Sequence, residues 1–218
     1  MAARVSARGP LSRDEIIRAA LDLAESDGLE KMSLHKIAQA VGVKTMSLYN
    51  HVADKSDVLD AMADRIMAEI VLPDMDAMSW EDGLRSLSAA FRSAAMRYPC
   101  SAPLVLTRRI NAPSVLPVVD AALRLLDRAG VESADTVHIL RTYIAFLVGT
   151  MLREIGTSPT SSVQASNIAT SASDLVNAGL PAVAAAADEL AVCDHEYEMQ
   201  FGMDLLLNCV RARTRTSR

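Results

Sequence analysis

The sequence predicts an all-α protein, a small N-terminal tri-helical helix-turn-helix domain followed by a larger helical domain. Three observations carry that class. Apolar residues recur at three- and four-residue spacing through nearly the whole chain, and no stretch sustains the alternation of a half-buried strand. Aromatic residues make up only 4% of the 218, too few for a β-rich core. Half of the residues are apolar, enough to bury one sizeable core or a small module attached to a larger one.

The first helix opens at Ser12-Arg13-Asp14-Glu15, a capping box, and its apolar face is Ile16, Ile17, Ala20, Leu21 and Ala24, with Gly28 as the stop. A second short helix begins at Ser33 and offers Leu34, Ile37, Ala38 and Val41 to the same core. Gly42 supplies the tight turn before a third helix from about Lys44 to His51. Asp54 caps a fourth, with Val58, Leu59, Met62, Ile66 and Ile70 as its stripe and Pro73 as its end. Ser79 caps a helix carrying Leu84, Leu87 and Phe91. Pro113 opens another that ends at Gly130, and Ser133 or Asp135 starts the most apolar helix, His138 to Ile155. Residues 157–173, rich in Ser, Thr and Ala and free of charge, read as a loop. An Ala-rich helix follows Pro181, and Asp194 caps a last one over 194–211 that places Tyr197, Phe201, Leu205, Leu206 and Cys209 on one side. The basic end of the chain reads as a frayed tail.

Composition excludes several classes of function. The longest dense apolar run, Ile144 to Leu152, is too short to span a bilayer, and no export segment is visible, so a cytoplasmic location is expected. Cys100, Cys193 and Cys209 are odd in number and widely spaced, which argues against a disulfide framework or a structural zinc site; they read as reduced thiols, two of them packed. No Gly-rich phosphate loop, His-Glu-x-x-His or Gly-x-Ser-x-Gly is present, and the histidines at 35, 51, 138 and 195 are scattered, so no catalytic residue, cofactor or metal is expected. The net charge is −5, but residues 1–56 hold eight Lys/Arg against seven Asp/Glu, leaving about −6 on the remainder. A near-neutral head with Arg4, Arg8 and Arg13 in its arm can approach phosphates, while an acidic body repels them.

In a helix-turn-helix the second helix of the pair enters the DNA major groove. Here that helix is Lys44-Thr45-Met46-Ser47-Leu48-Tyr49-Asn50-His51, with Leu48, Val52 and Val43 turned inward and hydroxyls, an amide and an imidazole turned outward. By composition alone the same helix serves equally as a solvated face, Tyr49 as a core aromatic with its hydroxyl at the rim, and His51 as a cap or a neighbour of Val52.

Between Ile16 and Ala63 the chain reads Ala19-Ala20-Leu21, Gly28-Leu29, Ser33-Leu34-His35-Lys36-Ile37-Ala38, Val41-Gly42-Val43 and Ser47-Leu48-Tyr49-Asn50-His51-Val52 followed by Lys55. On these residues the stretch resembles the DNA-binding head of the tetracycline repressor family. It implies that Tyr49 and Lys55 grip phosphates, that Thr45, Met46, Ser47, Asn50 and His51 face the groove, that His35 reaches a base, and that Lys44 flanks them. It also implies a domain order: arm and head over 1–56, a connecting helix over 57–72, a ligand-binding and dimerising domain over 73–211 and a basic tail over 212–218. Met46 stands where relatives often carry Pro or Ala, and its apolar tip suits a thymine methyl.

After Trp80 the order of elements resembles the tetracycline-binding branch, but Pro103-Leu104-Val105-Leu106-Thr107 replaces its magnesium-binding histidine and Arg153 its glutamate, so metal-tetracycline sensing is not expected. The expected pocket walls are Phe91, Leu104, Leu106, Tyr143, Phe146 and Met151, with Thr107 and Arg108 as polar contacts; ordinary core packing accounts for the same residues. Helices 138–155 and 194–211 are expected to pair with their copies, through Leu147 and Leu205, as a four-helix bundle. The resemblance therefore implies a repressor that binds a palindromic operator as a homodimer and is released by a small-molecule effector. The alternative is an all-helical small-molecule-binding protein or enzyme that borrows a tri-helical N-terminus.

Overall fold

A computed structural model describes residues 10–72, 74, 77–107, 112–156 and 176–216, and among these there are helices and no strand. They are α1 (Arg13–Asp27), α2 (Leu34–Ala40), α3 (Thr45–Leu48), α4 (Lys55–Ala68), α5 (Trp80–Arg97), α6 (Ala102–Leu106), α7 (Leu116–Arg128), α8 (Ser133–Gly156), α9 (Pro181–Ala185), α10 (Ala187–Ala191) and α11 (His195–Thr216), with a 3-10 turn at Leu29–Lys31. The loop expected at 157–173 and the expected pocket residue Arg108 lie outside the described residues. The chain divides into two compact units, residues 1–73 with 89–120, and residues 74–88 with 121–218.

In the first unit, one half of the expected capping box opens α1: the Glu15 amide donates to Ser12 Oγ at 3.2 Å, a cap worth about 1 kcal/mol. Ile16, Ile17, Ala20, Leu21 and Ala24 are all buried and share one core with Ile37, Ala38 and Val41 of the α2 segment, Leu48 and Val52 around α3, and Val58, Met62 and Ile66 of α4. Leu59, Ile70, Phe91, Tyr98 and Leu104 pack against that core half-buried. Fully burying a side chain of this size contributes about 1.5–3 kcal/mol, so the shared core, and not helix propensity, holds such short helices. The fourth helix stops at Ala68, ahead of Pro73. Its last amides close i→i−3 bonds (Glu69 to Ile66, Ile70 to Met67), and the Ile70-Val71-Leu72-Pro73 run that follows is β-branched and pre-proline, which disfavours helix.

The second unit contains the start of α5, most of α7, and α8 to α11. Ser79 caps α5, accepting from the Asp82 amide at 3.1 Å. The seventh helix starts at Leu116, not Pro113, because Pro117 takes a first-turn position where its missing N–H costs nothing. It ends in a Schellman turn at Gly130 (φ 77), whose neighbour Val131 donates to the Leu126 carbonyl. The helix expected after Pro181 is broken in two at Ala186, and among residues 181–189 no side chain is buried to hold the two pieces together. Asp194 caps α11 through the amides of Glu196 and Tyr197. That helix continues past Arg211 to Thr216, with Arg213 paired to Asp135 in the first turn of α8, so residues 211–216 are helical where a frayed tail is expected, and residues 217–218 lie outside the described residues. Cys193 and Cys209 are exposed and only Cys100 is half-buried, so two packed thiols are not found.

Candidate DNA-reading surface and the contacts that hold it

The turn between α2 and α3 is built on one glycine. Gly42 has φ 72, its N–H donates to Gln39 O at 3.1 Å and the Val43 N–H to Ala38 O at 2.9 Å, which satisfies the last carbonyls of α2 and turns the chain sharply. Lys44, in extended conformation, then leads into α3, a single turn and shorter than the Lys44–His51 helix expected. Leu48 and Val52 are buried beneath it and Val43 half-buried, as their apolar character requires. What remains faces outward: Met46 is 75% exposed, Tyr49 50%, and Lys44 and Asn50 are exposed, while Thr45, Ser47 and His51 are half-buried. At half exposure Tyr49 is no core residue. His35, exposed on α2, brings its Nδ1 to 3.3 Å from Thr45 Oγ1, so the candidate base-reading side chains of the two helices touch. Lys55 opens α4, and its Nζ donates to the Met32 carbonyl at 2.8 Å.

The exit of α3 is held by a group that the sequence placed elsewhere. Arg13, counted with the phosphate-approaching arm, donates from Nη1 to the His51 carbonyl at 2.7 Å and to Asp57 Oδ2 at 3.0 Å, and from Nη2 to Asp57 Oδ1. Asp57 Oδ2 also accepts the Ala53 N–H at 2.9 Å. The Arg13 hydrogen bonds, and then that of Ala53, hold the Asp57 carboxyl down at about 2. No local pattern signals a pair 44 residues apart.

Two further carboxylates anchor α1 and α4. Glu25, on α1, accepts the Cys100 N–H at 3.0 Å, the Ser101 N–H at 2.9 Å and the Ser101 hydroxyl at 2.7 Å. Glu69, the C-cap of α4, accepts Arg97 Nη1 at 2.9 Å and the Tyr98 hydroxyl at 2.8 Å. Both α1 and α4 are thereby tied to the corner between α5 and α6. Burial first, and Glu69 second, raise the Tyr98 phenol above its ordinary range.

The expected pocket residues are spread over the two units. Phe91 and Leu104 pack on the core of the first, Leu106 is buried, and Thr107 is exposed with its hydroxyl donating to Pro103 O at 2.6 Å. In the second, Met151 is fully buried, and Phe146 lies so close to Gly202 that a Cβ there would meet its ring at 2.3 Å. Tyr143 is buried, its hydroxyl 2.6 Å from Ser88 Oγ and donating to Leu84 O at 3.0 Å, and burial pushes its pKa well up. It also borders a cavity of about 410 Å³ with Leu84, Leu126, His138, Leu206 and Leu207; Phe146 and Met151 do not.

On the outer side of α11, Tyr197, Phe201 and Leu205 are 62%, 53% and 54% exposed at four-residue spacing, with the first two rings stacked at 6.2 Å. Leu152 of α8 is also exposed. Leu147, the expected interface residue of α8, is instead buried within the protomer beside Tyr143 and Met151 on that helix's inner face, so it cannot also meet a partner.

Comparison with known proteins agrees with these parts. The family model of bacterial regulatory proteins, tetR family, matches residues 16–62, and that of the tetracyclin repressor-like C-terminal domain matches residues 72–214. The class A tetracycline repressor from transposon 1721 of Escherichia coli is 35% identical over 147 residues, 66% of this chain and 67% of that protein. The chain spans between 56% and 67% of the length of the first curated relatives it matches. Among solved structures, Streptomyces coelicolor ActR in complex with actinorhodin superposes with a TM-score of 0.78 at 18% identity, covering 94% of this chain and 99% of that one. Mycobacterium smegmatis BioQ with its double-stranded DNA operator gives 0.68 at 20% identity, covering 93% and 99%. At these identities the likeness is one of fold.

Proposed function

The chain belongs to the TetR family of bacterial transcriptional regulators, and from that premise we propose that it is a ligand-responsive repressor, a homodimer on a palindromic operator that a small molecule releases. The observation that carries this reading is the outward face of α3, where Met46, Tyr49 and Asn50 stand exposed on a turn anchored by buried Leu48 and Val52. Tyr49 and Lys55 hold phosphates; Thr45, Met46, Ser47, Asn50 and His51, with His35 and Lys44 beside them, address the groove.

The exposed Tyr197, Phe201 and Leu205 stripe supports the dimer. Three large apolar side chains on one solvent-facing helix are what a second copy would cover. Two heads related by a two-fold axis then require half-sites about one DNA turn, roughly 34–36 Å, apart or a multiple of it. ActR binds actinorhodin and BioQ its DNA operator in the structures that share this fold, which supports the same division of labour here, with residues 1–56 on DNA and 73–211 receiving the effector. The contacts of Glu69 with Arg97 and Tyr98, and of Glu25 with Ser101, give α5 and α6 a hold on α4 and α1, through which a change in the body reaches the head. Relief by about a hundredfold needs a coupling of roughly 2.7 kcal/mol, within the usual allosteric range.

The test is an electrophoretic shift with the DNA upstream of the protein's own reading frame, followed by footprinting. The expected result is a retarded complex that protects two symmetric half-sites; no retardation at low salt would contradict the reading.

A further inference from the structure

We propose that Arg13 and Asp57 are positioning residues for operator reading: their ion pair clamps the exit of α3, and selectivity among DNA sequences, rather than grip on phosphate, depends on it. The proposal rests on the DNA-binding reading above. The reading helix is a single turn, Thr45–Leu48, and one turn cannot hold its own conformation or direction. Buried Leu48 and Val52 fix its inner side, and what holds its two ends fixes its remaining freedom. The entrance is fixed by the Gly42 turn and by the contact of His35 with Thr45. At the exit, the amides of His51 and Val52 both close on the Leu48 carbonyl, at 2.8 and 2.9 Å, and the His51 carbonyl, beyond the end of the helix, is taken by Arg13.

The same guanidinium is bidentate on Asp57, and Asp57 is itself pinned. Its carboxylate accepts the Ala53 N–H, its own amide donates to Asp54 Oδ1 at 2.9 Å, and it sits in the first turn of α4, where a helix N-terminus favours a carboxylate. One planar group thus joins the first residue of α1, the exit of α3 and the first turn of α4. Asn50 and His51, two of the groove-facing side chains, leave the backbone at this joint. The fixed fork of a guanidinium can serve the His51 carbonyl and both Asp57 oxygens in set directions, whereas a lysine ammonium, a point charge on a flexible stem, cannot hold them in the same geometry.

The clasp and a phosphate contact make opposite claims about Asp57. If Arg13 served phosphate, neutralising the neighbouring carboxylate would strengthen DNA binding. If Arg13 acts through Asp57, the same change loosens α3 and degrades discrimination.

The test compares full-length wild type with Arg13→Ala, Arg13→Lys, Asp57→Asn and Lys55→Ala, each held well below its melting midpoint. The probes are a duplex that the wild type enriches from a random-sequence pool and a scrambled duplex of equal length, titrated over a range of salt. Arg13→Ala and Asp57→Asn are each expected to cut the preference for the enriched duplex about tenfold with the salt slope unchanged, and Arg13→Lys to fall between them and the wild type. Lys55→Ala should weaken both duplexes alike and flatten the slope. Tighter binding of both duplexes by Asp57→Asn, or an undiminished preference, overturns the clasp. A wild type that enriches no duplex overturns instead the DNA-binding reading beneath it.

Discussion

Tyr98 donates its hydroxyl to Glu69, the residue at which α4 ends, at 2.8 Å, and the two are 29 positions apart in sequence. Arg97 takes the other carboxylate oxygen. Tyr98→Phe removes one of the two donors and leaves the ring in place, so it should cost about 1 kcal/mol, a fall of about 2–4 °C in melting temperature for a chain of this size. Glu69→Gln, which removes the charge that both donors share, should cost more. Thermal unfolding checks both; equal midpoints for all three proteins would show that Glu69 holds nothing.

The Asp57 carboxyl gives the head a pH dependence of known sign. Its pKa is lowered by folding, to about 2, by Arg13 and Ala53, so its contribution is complete above the ordinary carboxylate range and is lost as pH falls from about 4 toward 2. Urea midpoints of wild type and Asp57→Asn should therefore differ most near neutral pH and converge in acid. A difference that stays constant over that window would mean that the carboxyl is not held down by the fold.

Self-association should fail when the α11 stripe is charged. Phe201→Glu and Leu205→Glu each place a carboxylate on an exposed face, so the protomer should keep its helical content and light scattering should report a monomer. Leu147→Ala should do the reverse, because Leu147 lies inside the protomer: its loss costs about 2–5 kcal/mol of stability without a specific effect on assembly. Dimeric Phe201→Glu and Leu205→Glu proteins would place the interface elsewhere.

Features written in local pattern were legible in the sequence. The caps at Ser12, Asp54, Ser79 and Asp194, the inner face of α1 and the Gly42 turn follow from residues close together in sequence, and each is found. The outward set at Met46, Tyr49 and Asn50 was legible for the same reason, because buried Leu48 and Val52 leave those positions no other direction. What escaped was set by tertiary pairing. The partners of Arg13, Glu25 and Glu69 lie 28 to 76 residues away, and charge alone gives an arginine near a DNA-binding head no reason to turn inward. Leu147 and Leu205 look alike as apolar helix residues, and only the packing of α8 and α11 makes one core and the other surface. The fourth helix ends at Ala68 and α7 starts at Leu116, not at Pro73 and Pro113, because proline marks a break without saying how many residues away the helix stops.

Whether the α3 face reads DNA is decided by base preference. Asn50→Ala and the wild type would each be used to select duplexes from the same random-sequence pool, and the recovered sequences compared. Both are expected to recover palindromes of the same half-site spacing, and Asn50→Ala to relax or change the preference at one symmetric pair of positions, with a loss of about 1–3 kcal/mol against the wild-type sequence. Identical preferences at every position, with undiminished affinity, would contradict reading by the α3 face.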